Sequence, residues 1–110
     1  MKMIIATVRP EKIFEVTKGL AENGYYASTR WGVSGRGRQK GIQVGDMIYE
    51  EMSKNLLMIV VEDEEKDQAV QIIMDYARSG ANGNSGDGKI FIVPVEESYT
   101  ISSHKKDENL

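Results

Sequence analysis

Cysteine is absent from this 110-residue chain, which excludes both a disulfide framework and thiolate chemistry. Histidine occurs once, as His104 in a polar C-terminal stretch, a poor position for general acid-base work or metal ligation. No apolar run approaches the ~20 residues needed to span a bilayer, so membrane insertion is not expected. An excess of positive charge is also missing. The formal net charge of −3 leaves no basic stripe for a phosphate backbone, and nucleic acid is not an expected partner. No positively charged leader with an apolar core precedes the first strand, and a cytoplasmic location is the expectation. The carboxylates Asp63, Glu64, Glu65 and Asp67 read as helix-start electrostatics. None pairs with a neighbouring histidine or cysteine, so no catalytic residue is assigned.

What is present is the composition of a globular domain, 40% hydrophobic and 28% charged. A chain of this size buries about two-thirds of its unfolded surface, which makes its own core modest. Lys2 to Val8 reads as a strand with apolar residues on both faces: Met3 and Ile5 on one, Ile4, Ala6 and Val8 on the other. Pro10 suits a first helical turn. Ile13, Val16, Thr17 and Leu20 then recur at helical steps as far as Gly24, a C′ glycine. Tyr25 to Ser34 is rich in β-formers and predicts a second strand. Asn55 to Glu62, NLLMIVVE, predicts a third, apolar on both faces. Asp63 is the expected N-cap of a second helix with the buried stripe Val70, Ile73, Met74 and Ala77, closed by Arg78. Ile90 to Val95 predicts a further buried strand, with Pro94 limiting its pairing, and Ser98 to Ile101 a short edge segment. From Ser102 to Leu110 a polar, frayed tail is expected.

The order β-α-β-β-α-β predicts the ferredoxin-like α+β fold, a four-stranded antiparallel sheet covered on one face by two helices, over residues 1–101. The strands are apolar on both faces, yet nothing in the chain covers the second. An open patch of that extent predicts a closed homo-oligomer, with the glycine-rich loops forming clefts between neighbours.

Two loops carry the chemistry. The first, residues 35–54, holds Gly35, Gly37, Gly41 and Gly45 with Arg36, Arg38 and Lys40 among them, an anion-binding arrangement. Arg38 can fork onto phosphate oxygens, while Gln39 can donate and accept. From Asp46 to Glu51 the charge turns negative around Met47, Ile48 and Tyr49, which reads as a contact surface for another protein. The second loop, residues 79–89, contains Gly83-Asn84-Ser85-Gly86-Asp87-Gly88-Lys89. It satisfies G-x-x-x-x-G-K, but Ile90 replaces the magnesium-binding hydroxyl and a strand follows, so it is no Walker A motif. Its amides with the Lys89 ammonium can still cradle phosphate as a nest.

Gly35-x-Gly37-Arg38-Gln39-Lys40-Gly41, Lys54 before the third strand, and Gly86-Asp87-Gly88-Lys89-Ile90-Phe91 resemble the PII signal-transduction proteins over residues 1 to about 101. A shortened first loop, RQKGIQVGDMIYEE, and the extra residues ANGNS in the second resemble the nitrogen-fixation NifI branch, type 1 paralogue. The resemblance implies a trimer whose three clefts bind ATP or ADP, and 2-oxoglutarate alongside Mg-ATP. By position it assigns nucleotide to Thr29, Gly37, Arg38, Ser79, Gly86, Asp87, Gly88 and Lys89. Gln39, Gly41 and Lys54 are assigned to 2-oxoglutarate, with Gln39 reaching Mg2+ through its backbone or side chain. It further implies that the long loop inhibits dinitrogenase when 2-oxoglutarate is low, in concert with a second NifI paralogue and possible mixed assembly with it. Two departures stand out: Thr100 and Ser102 occupy the positions of phosphate-reaching arginines, and Tyr49 does not align with the uridylylated tyrosine of enteric members. Three rival readings remain: a general PII-type regulator of an ammonium transporter or glutamine synthetase, a trimeric ATP-hydrolysing enzyme, and a scaffold or metal-sequestering trimer.

Overall fold

The computed structural model describes residues 1–36, 42–44, 47–49 and 51–110. Strand β1 (Lys2–Val8) alternates as its sequence requires: Ile4, Ala6 and Val8 are buried, Met3, Ile5 and Thr7 half-buried. Pro10 opens a short 3-10 turn, Pro10–Lys12, before α1 (Ile13–Glu22) buries Ile13, Val16, Gly19 and Leu20. Asn23 caps α1, and Gly24 follows at φ +91. That left-handed turn lets the Gly24 amide donate to Ala21 O at 3.0 Å and the Tyr25 amide to Leu20 O at 2.9 Å, which satisfies two orphan carbonyls.

The second strand, β2, spans Thr29–Arg36, four residues later than expected at its start. Strands β3 (Ile42–Val44) and β4 (Met47–Tyr49) form a separate hairpin, and β5 runs over Glu51–Val61. The ladder between β2 and β5 therefore continues into the stretch expected as loop, pairing Val33 with Lys54 and Arg36 with Glu51. Cross-strand hydrogen bonds extend wherever two antiparallel segments leave a sheet together, so the base of this arm is a ribbon.

Helix α2 (Lys66–Ala77) starts after a 3-10 turn over Asp63–Glu65, with Glu65 at its N-cap. Asp63 is not the cap: its carboxylate takes the N-terminal ammonium at 2.7 Å. The buried stripe is Ala69, Ile73 and Ala77, with Val70 at its edge and Met74 exposed. The small residues Ala69 and Ala77 bring α2 close to the sheet, and Met74 consequently turns outward.

Strand β6 (Gly88–Pro94) completes a four-stranded antiparallel sheet in the order β2-β5-β1-β6. Both helices cover one face, over a core of Ile4, Ala6, Val8, Leu57, Ile59 and Val61 from the sheet and Val16, Leu20 and Ile73 from the helices. This is the ferredoxin-like fold. Directly paired residues share a face, so the registers Met3 with Val60 and Val93, Ile5 with Met58 and Phe91, and Leu56 with Trp31 place these side chains on the side away from the helices. Phe91 is 52% and Trp31 44% exposed there.

Beyond the sheet, β7 (Tyr99–Thr100) pairs with β8 (Lys105–Lys106). The expectation of fraying from Ser102 does not hold. Asp107 clasps the hairpin: its carboxylate accepts from Ser98 Oγ and Thr100 Oγ1 at 2.7 Å each, and its amide donates to Ser98 O at 2.8 Å. Two of these bonds are charge-assisted, and together they offset the entropy of ordering the segment.

Leu57 is fully buried in a central strand beneath both helices, so Leu57→Ala is expected to cost about 2–5 kcal/mol. Urea unfolding at fixed protein concentration measures this, and a cost well under about 1 kcal/mol would mean the core lies elsewhere.

Candidate functional site

Sheet register decides which residues meet. Val8 at the end of β1 lies opposite both Asn55 and Gly88. The next residue of β1 and the preceding residues of β5 and β6 must then emerge at one end of the sheet, and they are Arg9, Lys54 and Asp87.

Asp87 is the hub. Its Oδ1 accepts from Arg9 Nε at 2.9 Å and from Ser79 Oγ, its Oδ2 from the backbone amides of Ser79 at 3.0 Å and Asn84 at 2.8 Å. Arg9 also donates to Ser85 O at 3.0 Å, and Asn84 Nδ2 to Ser79 O at 3.1 Å. The Lys54 ammonium donates to the Gly86 carbonyl. The second loop is thereby tied to both neighbouring strands. Gly88, at φ +121, is where it enters the sheet: a Cβ there would lie 1.7 Å from Thr7 O, so only glycine allows this approach.

The electrostatics follow from these contacts. Burial alone would raise the Asp87 carboxyl, but hydrogen bonds from Ser79, Asn84 and Arg9 outweigh it and hold the group far below the ordinary carboxylate range. For Lys54, burial and then the nearby Arg9 lower the ammonium from its usual value, against the opposite pull of Glu11 and Asp87. Lys54 stands on the helix-free side of the sheet, in the same alternation as Leu56, whose rung continues through Thr7 to Lys89. Two cations and the amides of a glycine-rich turn thus border one end of that face, an arrangement suited to an oxyanion.

Of the expected site residues, Lys54, Ser79, Gly86, Asp87 and Gly88 are brought together, with Lys89 beside them and its amide donating to Thr7 Oγ1 at 3.2 Å. Thr29 is not. It lies on β2, at the opposite edge of the sheet from β6, about 14 Å away at the usual strand spacing. Gly37, Arg38, Gln39 and Gly41 lie outside the described residues. The Thr100 hydroxyl is committed to Asp107. Arg9, 17% exposed, was missed by sequence reasoning. Its signal was available: a cation at the very end of a central strand, next to the proline that ends it. A groove of about 640 Å3 between α2 and β6 opens on the helix side, with an apolar floor of Val70, Met74, Ile90 and Ile92, and reaches Arg78, Asp87, Gly88 and Lys89 at the second loop.

The profile of the family described as nitrogen regulatory protein P-II matches residues 1–105. The chain belongs to this family. It is similar to the nitrogen fixation nifHD2 region GlnB-like protein 1 of Methanosarcina barkeri, 53% identical over 106 residues, 96% of this chain and 98% of that one. The nitrogen fixation nifHD region glnB-like protein 1 of Methanococcus maripaludis is 46% identical over 101 residues, 92% and 93% of the respective chains. These similarities support the nitrogen-fixation NifI branch of the P-II family. Among solved structures, Arabidopsis thaliana PII bound to citrate superimposes with a TM-score of 0.76 at 27% identity, over 97% of this chain and 85% of that one.

A carboxylate with a depressed folded-state pKa stabilises the native state above its unfolded value, near 3.9, and loses that contribution as pH falls toward the folded value. Asp87→Asn is therefore expected to be less stable than the wild type at pH 7, with a gap that narrows steadily as pH drops from about 5 to 2. Unfolding midpoints across that range measure this; a constant gap between the two proteins would contradict it.

Proposed function

We propose that this P-II family protein is a non-enzymatic sensor of 2-oxoglutarate and adenine nucleotide that inhibits dinitrogenase through residues 35–54 when 2-oxoglutarate is low. One observation carries the reading: Lys54, at the base of that arm, is joined to the glycine-rich second loop through Gly86. A diacid held by Lys54 and a phosphate held by the second loop would be neighbours, and both would act on the arm where it leaves the sheet.

Nucleotide is assigned to Ser79, Gly86, Gly88 and Lys89 with Asp87 behind them, and, from the first loop, to Gly37 and Arg38. Gln39 and Gly41 join Lys54 in holding 2-oxoglutarate. Described as bound to citrate, the plant PII structure supports a small polycarboxylate as ligand class. Among the described residues no group of three or more His, Cys, Asp or Glu could hold a metal. Mg2+ would accordingly rest on phosphate oxygens, water and Gln39, and when bound would neutralise and bridge the anions. Sensing requires that 2-oxoglutarate prefer the arm conformation that cannot inhibit, since a ligand shifts an equilibrium only by its differential affinity.

The assembly proposed is a trimer closed over the helix-free face, alone or mixed with a second NifI paralogue. Its support is the apolar surface of Met3, Ile5, Leu56, Met58, Val60, Phe91 and Val93. Thr29 and Lys89 lie at opposite sheet edges, so a nucleotide cleft using both must borrow one from a neighbour.

Titration calorimetry with Mg-ATP present is expected to show 2-oxoglutarate binding that Lys54→Ala weakens about tenfold or more, the loss of a charge-assisted bond. Equal affinity in that variant would remove Lys54 from the site. Sedimentation velocity is expected to give a trimer for the wild type and smaller species for Met58→Glu, which would bury a charge in the contact. A wild-type monomer at micromolar concentration would end the proposal of shared clefts.

A further inference from the structure

The geometry points to Asp87 as a positioning residue of the phosphate-binding loop, with Arg9 as its required partner, in place of a direct ligand role. This rests on the nucleotide reading above. An ionised carboxylate offers about four lone-pair sites, and here four donors occupy them: Arg9 Nε, Ser79 Oγ, Ser79 N and Asn84 N. No acceptor capacity is left for a ligand hydroxyl or for metal-bound water, and a bare anion beside phosphate would repel it. What the carboxylate does is gather chain. It joins the end of β1, the residue after the α2 cap and the middle of the loop, segments otherwise separated by as many as 78 residues. Asn84 closes the frame onto Ser79, and Arg9 holds the Ser85 carbonyl. The turn that presents Gly86 and Gly88 is thus suspended between fixed points. Arg9 also neutralises the carboxylate inside the pair, so that an anion approaching Lys54 and Lys89 meets little opposing charge.

The decisive comparison is Asp87→Asn alone and together with Arg9→Gln. In the single variant the shape is kept, but the amide NH2 must face donors. Ser79 Oγ can turn and accept, whereas Arg9 Nε–H cannot and stays unpaired. The Arg9→Gln change places an amide oxygen where Arg9 carries Nε, both atoms being bonded to Cδ, and that oxygen can accept from the asparagine NH2.

Calorimetry with Mg-ATP is expected to show binding weakened about tenfold in Asp87→Asn, the effect of one unsatisfied donor, and regained to within about threefold of wild type in the double variant. Wild-type affinity in the single variant, or no recovery in the double, overturns the proposal. Amide exchange by 1H–15N NMR on the ligand-free proteins supplies an independent readout. The Ser79 and Asn84 amides should keep their protection in Asp87→Asn, whose remaining oxygen still accepts from both, and lose it in Asp87→Ala, which removes the acceptor; unchanged protection in Asp87→Ala overturns the clasp. Should the wild type fail to bind Mg-ATP at all, the nucleotide reading falls, and the amide signals still decide whether Asp87 holds the loop.

Discussion

One carboxylate between two strand ends holds together the loop end of this sheet. Buried hydrogen bonds contribute modestly when made and cost more when left half-made, so the four donors around Asp87 stand or fall together. Arg9 supplies the only side-chain cation among them, which makes the residue that follows β1 part of a loop far along the chain. The glycine-rich composition of residues 79–88 would by itself favour many conformations, and side-chain caps from elsewhere in the fold select one.

That selection is possible only because the sheet holds β1 between β5 and β6. Antiparallel pairing on both sides of one strand puts the start of each neighbour at the same end as its finish, and the apolar alternation of β1 makes the register costly to slip. Ile4, Ala6 and Val8 face the helices, so a shift by one residue would send them to the other side and bring Met3 and Ile5 under α1 and α2. Core packing thereby sets the position of Lys54 and Asp87, although neither belongs to the core.

The face left uncovered by helices carries a second consequence of the same alternation. Met3, Ile5, Met58 and Phe91 lie in register across three strands, apolar and partly open to solvent. Covering this surface with copies of the chain would gain stability, and in the proposed trimer the site end of each sheet would then meet the opposite edge of a neighbour. A ligand held by Lys54 in such an assembly would be coupled to the arm mechanically, because β5 carries Lys54 directly into the ribbon paired with β2.

Much of this was legible in the chain alone. The period-2 pattern of residues 2–8, the helical spacing from Ile13 to Leu20, Gly24 as a terminator and the β-α-β-β-α-β order are local properties, and local propensity and burial agree there. The two glycine-rich loops and Lys54 were equally visible as candidates, because clustered glycines and cations stand out from the apolar strands beside them. Tertiary structure alone decided the rest. Whether Asp63 caps a helix or takes the N-terminal ammonium, whether Met74 or Ala69 faces the core, and that Thr100 and Asp107 close a hairpin all depend on competition between partners distant in sequence. Above all, only the folded sheet could reveal that Arg9 and Asp87 are a pair, since the reason they meet is the strand register between them and nothing in the residues that flank either one.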